Sequence, residues 1–529
     1  MSCGRHFLLR RRAGLLKESF MRHPSSLLLG LGLIVAAAPV LGQTAPSPAL
    51  APASAPAKPP VATSEGYLKA GQEELKRLQA DKPNNRKARN IILFIGDGMG
   101  ISTLTAGRIF EGQQQGLDGE SFVAQMDRLP HTALVKTYSH DAQVADSAPT
   151  ATALVAGVKT KNGVIGVGPE AVENDCAATA PFKVPSLFEM AEDKGYATGV
   201  VTTATITHAT PASTYAHVAQ RDWEVDSRMP EAAKAAGCTD IARQMVEWPH
   251  GNGLDVMLGG GRAHFLPAAT VDPEYPAFKG LRADGKDLAA VWQAANPKGA
   301  YVWNSDSFNA VDVQKSTKLL GLFEPSHMQY EADRTAAGEK EPSLADMTRK
   351  AIAMLSKNRK GYVLMVEAGR IDHAHHAGNA RRALQDTVAL NAALKAAMES
   401  VDLSDTLIVV TSDHSHTFTM SGYPERGNPI LGVVAAPIGT PTLAKDGKAY
   451  TTLGYANGPG AISAAERADP SKEDTETLNY RQQSLVGLSS ETHGGEDVVA
   501  RAAGPKAHLF KGTIEQNTIF HILRAALGL

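Results

Sequence analysis

Cysteine is scarce, with three in 529 residues. That excludes a disulfide-rich scaffold and a four-thiolate zinc module. Neither sign of charge is in excess. Lys and Arg total 53 against 55 Asp and Glu, so no basic surplus points to nucleic acid as the main partner. Long apolar runs are missing except for one near the N-terminus, so nothing downstream reads as a membrane span. What remains is 43% hydrophobic and 20% charged, the composition of a globular protein. The length suits one large α/β domain or two smaller ones. Histidine, at 17 residues, is the better-stocked metal ligand.

The single apolar run covers residues 26–41, SLLLGLGLIVAAAPVL, with Arg22 and His23 ahead of it. It is marginally short for a span. Small residues follow, with Val40 and Gly42 set for cleavage, so residues 1–42 read as a secretory signal peptide. Met21 begins a complete signal on its own. Residues 43–64 are an Ala/Pro-rich linker with no reason to pack, and the catalytic domain is expected over 65–529. Residues 65–80 have helical spacing, with Tyr67, Leu68, Leu75 and Leu78 on one face. Export leaves Cys176 and Cys238 in an oxidising compartment. One disulfide is the simple inference, and two buried thiols are the alternative.

Four apolar runs each end in a small residue and an acidic or polar one: 90–96, 196–203, 361–366 and 405–411. Runs apolar throughout suit strands buried on both faces of a parallel sheet. Helical patterns lie between them, for example over 342–357 and 381–400. The expected fold is a three-layer α/β sandwich with a central, mostly parallel sheet. Ligands bind beyond the carboxyl ends of such strands, so the polar residues at these ends converge on one edge. Residues 421–490 are rich in Gly, Thr, Asn and Pro and read as a small insertion, with short strands expected at 430–434 and 449–453.

Three strand ends and one loop carry ligand-type residues. They are Asp97 in IGDGMG, the run from Glu367 to His376 (EAGRIDHAHH), Asp413 and His414 in TSDHSH, and His493 in ETHGGE. Asp372 and His376 are four apart, so on a helix they share a face and can grip one ion. Carboxylates and imidazoles without thiolates suit Zn²⁺, Mg²⁺ or Mn²⁺. The set exceeds the need of one ion, which points to a multi-metal site and phosphoryl transfer. Ser147, in ADSAPTATA, opens an apolar helix whose N-terminus favours an anion. It is the candidate nucleophile. Arg221 is the candidate bidentate phosphate clamp.

These blocks resemble those of the alkaline phosphatases, in order, over about residues 85–525. IGDGMG, DSAPTATA, THATPASTYAH, VEAGRIDHAHH, TSDHSHTF and ETHGGEDV carry the likeness. LGGGR, FEPSHMQYE and YVWN are similar to the animal branch. The resemblance implies that Ser147 forms a phosphoseryl intermediate and that Arg221 holds two phosphate oxygens. It implies a first zinc on Asp372, His376 and His493, and a second on Asp97, Asp413 and His414. Asp97 would bridge to a magnesium also held by Thr210 and Glu367, with His208 and His373 as tuning groups behind the ligands. It supports the pairing of Cys176 with Cys238. It further implies a calcium site on Glu274, the Phe323 carbonyl, Glu324 and Glu341, where Glu341 replaces an Asp. The 421–490 insertion resembles the crown-like region that caps the animal enzymes at their dimer interface.

The implied reaction is hydrolysis of small-molecule phosphomonoesters at alkaline pH. It implies an exported, periplasmic or secreted homodimer without a stable membrane anchor and without specific nucleic-acid binding. A sulfatase would need Arg where Ala151 stands. A phosphodiesterase fits poorly, because Arg221 favours the doubly charged terminal phosphate that a diester lacks. A non-catalytic phosphate-binding protein would have no use for Ser147.

Overall fold

The computed structural model describes residues 63–461 and 467–529. The expected signal peptide and nearly all of the expected linker lie outside the described residues. Helix α1 (Ser64–Ala80) starts where Thr63 caps the N–H of Gly66. The expected apolar face forms but buries nothing: Tyr67, Leu68, Leu75 and Leu78 are all more than half exposed. The packed fold begins at Ala88, whose N–H donates to Ala526.

The strands are β1 (Asn90–Gly96), β2 (His131–Lys136), β3 (Ala197–Thr205), β4 (Val256–Gly260), β5 (Ala300–Val302), β6 (Leu319–Leu322), β7 (Tyr362–Ala368) and β8 (Thr406–Ser412). With Val498–Ala503 and Gly512–Glu515 they form one ten-stranded sheet. Its order is Gly512–Glu515, β2, Val498–Ala503, β8, β1, β7, β3, β4, β6, β5. Every pairing is parallel except those of Val498–Ala503. The four apolar runs are the four central strands, as both-faced burial requires. Ile91, Leu93 and Ile95 enter one core and Ile92 and Phe94 the other. Helices cover both faces. Leu344–Leu355 and Ala380–Ser400 pack on one, while α3, Ile241–Val246 and Thr518–Leu527 pack on the other. Here α2 is Ile101–Gln114 and α3 is Ser147–Ala156.

In-register pairing brings the strand ends level. Ile95 lies beside both Glu367 and Thr411, and Gly96 beside Ser412. Cys176 and Cys238 form a disulfide, with Cα atoms 5.7 Å apart. The insertion carries a three-stranded sheet of Phe418–Met420, Leu453–Gly458 and Ser484–Gly487. The strands expected at 430–434 and 449–453 reduce to isolated bridges, such as Val433 to Thr451. Pro429, Gly432 and Pro437 interrupt that stretch, and proline removes the donor a ladder needs.

Candidate active site

The turn after β1 is built around Gly98, at φ +66°. A Cβ there would sit 2.3 Å from His416 Nε2, so both conformation and space demand glycine. Its N–H donates to Asp413 Oδ1 at 3.0 Å. Asp97 and Asp413 are fully buried. His414 Nε2 lies 3.3 Å from an oxygen of each. Ser147 Oγ is 3.1 Å from the same nitrogen. Ser147 opens α3, capped by Asp146, so its side chain meets the ends of β1 and β8 at a helix N-terminus. Burial, then Asp413, pushes Asp97 well above the carboxylate range, and both its oxygens lack a hydrogen-bond partner. Buried carboxylates this close are a natural cation seat.

A second group gathers around Asp372. On helix Arg370–His376, Asp372 and His376 are one turn apart as expected, with Oδ1 to Nε2 at 3.3 Å. His493 Nε2 is also 3.3 Å from Asp372 Oδ1 and 3.2 Å from His376 Nε2. The Nδ1–H of His376 donates to the Glu491 carbonyl at 2.6 Å and that of His493 to the Ala145 carbonyl at 2.8 Å. With Nδ1 engaged in this way, each ring turns its Nε2 to Asp372. Carbonyl acceptors of this kind fix the tautomer of a metal-ligating His.

A third group holds Asp97, Glu367 and His208, with ligand atoms within 4.8 Å of one another. Glu367 Oε2 accepts from Thr202 Oγ1, while its Oε1, Thr210 Oγ1 and His208 Nδ1 are buried and unpartnered. Burial pushes Glu367 up to about 7 and His208 down to about 4. Unpaired buried oxygens carry a desolvation cost, which a hard cation bound there would offset. Arg221 is partly buried at the rim. Its Nη2 donates to His208 Nε2 at 3.0 Å, and its Nη1 is 3.8 Å from Asp146. His373 joins none of the ligand groups. Its Nδ1 accepts from Arg370 Nη1 at 2.9 Å.

His416 and Glu491 complete the site without standing among the candidate ligands of the sequence. His416 is enclosed by carboxylates, Asp372 at 2.8 Å and Glu491 at 2.6 Å. Against its burial, these two hold the ring up at about 9, so it orients Asp372 as a cation; it also stands within two of the possible ligand groups. The repeated His in TSDHSH was the available signal, but the pairing with Glu491 is invisible without the fold.

The residues expected to bind calcium neighbour one another, Glu274 with Glu324 and Glu324 with Glu341. Burial, then the neighbouring Glu324, pushes Glu341 up to about 9. Glu341 Oε2 is buried and unpartnered. Glu274 turns to Arg262 at 3.4 Å, and Arg262 also donates to the Phe323 carbonyl at 3.1 Å.

The family model described as alkaline phosphatase matches residues 88–529. The chain belongs to the alkaline phosphatase family. It is therefore a phosphoric monoester hydrolase. It is 46% identical over 470 residues to the tissue-nonspecific alkaline phosphatase of Gallus gallus, covering 87% of this chain and 89% of that protein. The tissue-nonspecific enzyme of Homo sapiens is 44% identical over 463 residues, with 86% and 87% covered. The animal-type branch is thus supported. Among solved structures, Thermus thermophilus alkaline phosphatase superposes with a TM-score of 0.61 at 27% identity, covering 85% of this chain and 94% of that one. A magnesium-bound variant of TAB5 alkaline phosphatase shares the fold, with a TM-score of 0.58 at 24% identity and 84% and 99% covered.

Proposed function

We propose that this alkaline phosphatase hydrolyses phosphomonoesters through a phosphoserine on Ser147, with two zinc ions and one magnesium. The observation that carries this reading is Ser147 Oγ, 3.1 Å from His414, which belongs both to the Asp97–Asp413–His414 group and to the group of Asp372, His416 and His493. Asp372, His376 and His493 would hold one zinc; Asp97, Asp413 and His414 the other; Asp97, Thr210 and Glu367 the magnesium. The unpartnered oxygens of Asp97, Thr210 and Glu367 fit such ions. When bound, these ions supply Lewis acidity that lowers the serine pKa and steadies the leaving oxygen.

Ser147 Oγ attacks phosphorus in line, the bond to the ester oxygen breaks, and the alcohol departs. Water then cleaves the phosphoserine, releasing inorganic phosphate and restoring Ser147. Arg221 turns from His208 to hold two non-bridging oxygens, and the N-terminus of α3 faces the same anion. His208 and His373 tune this pocket from behind. Glu274, Glu324, Glu341 and the Phe323 carbonyl would hold Ca²⁺, a reading supported by the orphaned Glu341 oxygen.

Among the described residues no helix is long and apolar enough to cross a membrane. The signal-like N-terminus supports export to the periplasm or beyond. The bare face of α1 and the exposed Leu485 and Val486 of the insertion support a homodimer that covers them.

The test is p-nitrophenyl phosphate hydrolysis from about pH 6 to 11, before chelation, after it, and after restoring Zn²⁺ and Mg²⁺. Alkaline activity lost and regained with both ions is expected. Inactivity of the folded, metallated protein would overturn the reading.

A further inference from the structure

The Ser326–His327 step of FEPSHMQYE has no part in the reading above, yet it reaches the site. After β6 the chain crosses the glycines that end β4. Gly261 N–H donates to the Ser326 carbonyl at 2.6 Å and Met328 N–H to the Thr203 carbonyl at 3.0 Å. A Cβ on Gly260 would lie 2.2 Å from the Ser326 oxygen, so the loop is pressed on backbone and has little room to shift. His327 is fixed at its tip, its Nδ1 accepting from Thr205 N–H at 3.0 Å. An amide N–H only donates, so the proton of the neutral ring lies on Nε2.

The ring packs on the site's other imidazoles. Its centroid is 4.3 Å from that of His373 and 5.6 Å from that of His208, and those two are 5.4 Å apart. A guanidinium donor sets each partner in turn. Arg370 donates to His373 Nδ1, and Arg221 to His208 Nε2. Arg370 is itself stacked on Tyr330, 3.7 Å from the ring centroid. The Arg370 bond restrains one edge of His373 but not rotation about that bond. The face of His327 supplies the missing restraint. It leaves the Nε2–H of His373 as a donor of fixed direction beside the His208–Arg221 pair.

We propose that His327 is a positioning residue for the phosphomonoesterase reaction. Its ring holds His373, and through it the imidazole wall beside Arg221, in the orientation that serves phosphate and magnesium. The inference rests on the phosphate and magnesium reading of this site. It gives the ring, and not the hydrogen bond to Thr205, the functional role.

The experiment uses full-length, metallated wild type and the variants His327→Ala, His327→Asn and His327→Phe. Inorganic phosphate binding is measured by calorimetry and the Mg²⁺ dependence of reactivation by titration. Steady-state kinetics and melting complete the set. His327→Ala should weaken phosphate binding and raise the Mg²⁺ midpoint about 10-fold, the scale of losing an orienting partner, with Tm little changed. His327→Asn keeps an acceptor for Thr205 but no ring, and should match Ala. His327→Phe keeps the ring face and strands the Thr205 N–H. It should melt lower yet bind phosphate nearly as wild type does. Unchanged phosphate and Mg²⁺ behaviour in Ala, or Phe no better than Ala, overturns the proposal. A wild-type protein that neither hydrolyses monoesters nor binds phosphate overturns the function reading, and this inference with it.

Discussion

His416 Nε2 lies 2.8 Å from Asp372 Oδ1, and the opposite ring nitrogen is engaged by Glu491. A charged imidazole thus grips the carboxylate that two other imidazoles, His376 and His493, also face. Removing it should leave Asp372 free to rotate and Glu491 buried without its cation. His416→Ala should therefore lower kcat/KM by about 10–100-fold and speed zinc loss to a chelator. Zinc release followed with a colorimetric chelator checks this, and release at the wild-type rate would contradict it.

Ser147 has no neighbouring serine placed to replace it at the start of α3. Ser147→Ala should remove normal turnover while leaving the fold intact, since the side chain caps nothing and Asp146 keeps the helix start. Trapping of ³²P-labelled protein in acid should succeed with wild type and fail with the variant. Near-full activity in the variant would refute the covalent step.

Asp386 is buried on helix Ala380–Ser400, and one carboxylate oxygen accepts the Glu331 N–H at 3.2 Å. Burial pushes its pKa up to about 8. The folded state therefore keeps a proton that the unfolded chain loses near pH 4. The corresponding stability is full below about pH 4 and is lost as pH rises to about 8. Asp386→Asn keeps an acceptor for Glu331 and cannot ionise. Its advantage over wild type should grow across that window by up to about 1.4 kcal/mol per pH unit, then stay level. Denaturant unfolding at several pH values reads this directly, and a difference independent of pH would exclude the mechanism.

The disulfide closes a loop between Cys176 and Cys238, 62 residues apart, and packs against Trp223 and Met229. Trp223 is two residues from Arg221. Replacing both cysteines by serine should cost about 4 kcal/mol in the chain-entropy model and raise KM more than it lowers kcat. Equal thermal stability of the two proteins would contradict the first expectation.

The central sheet was legible because its signals are local. The run at 90–96 coincides with β1, and the helices expected at 342–357 and 381–400 appear as Leu344–Leu355 and Ala380–Ser400. Chains buried on both faces must be apolar throughout, and that mark survives in one dimension. The strands within the insertion escape a local reading because they are short, Gly- and Pro-broken, and chosen by partners far along the chain.

Residue types and local spacing already carry the carboxylate and imidazole donors, the shared helix face of Asp372 and His376, and the acids and imidazoles at strand ends. Only the tertiary structure decided that Asp372 is held by His416, that Glu491 neutralises that ring, and that His327 packs on His373. It also decided that the apolar face of α1 finds no cover among the described residues. The physical reason is distance in sequence. A strand or helix writes its period into adjacent residues, whereas a charge or a ring finds its partner only after the sheet has aligned its edges.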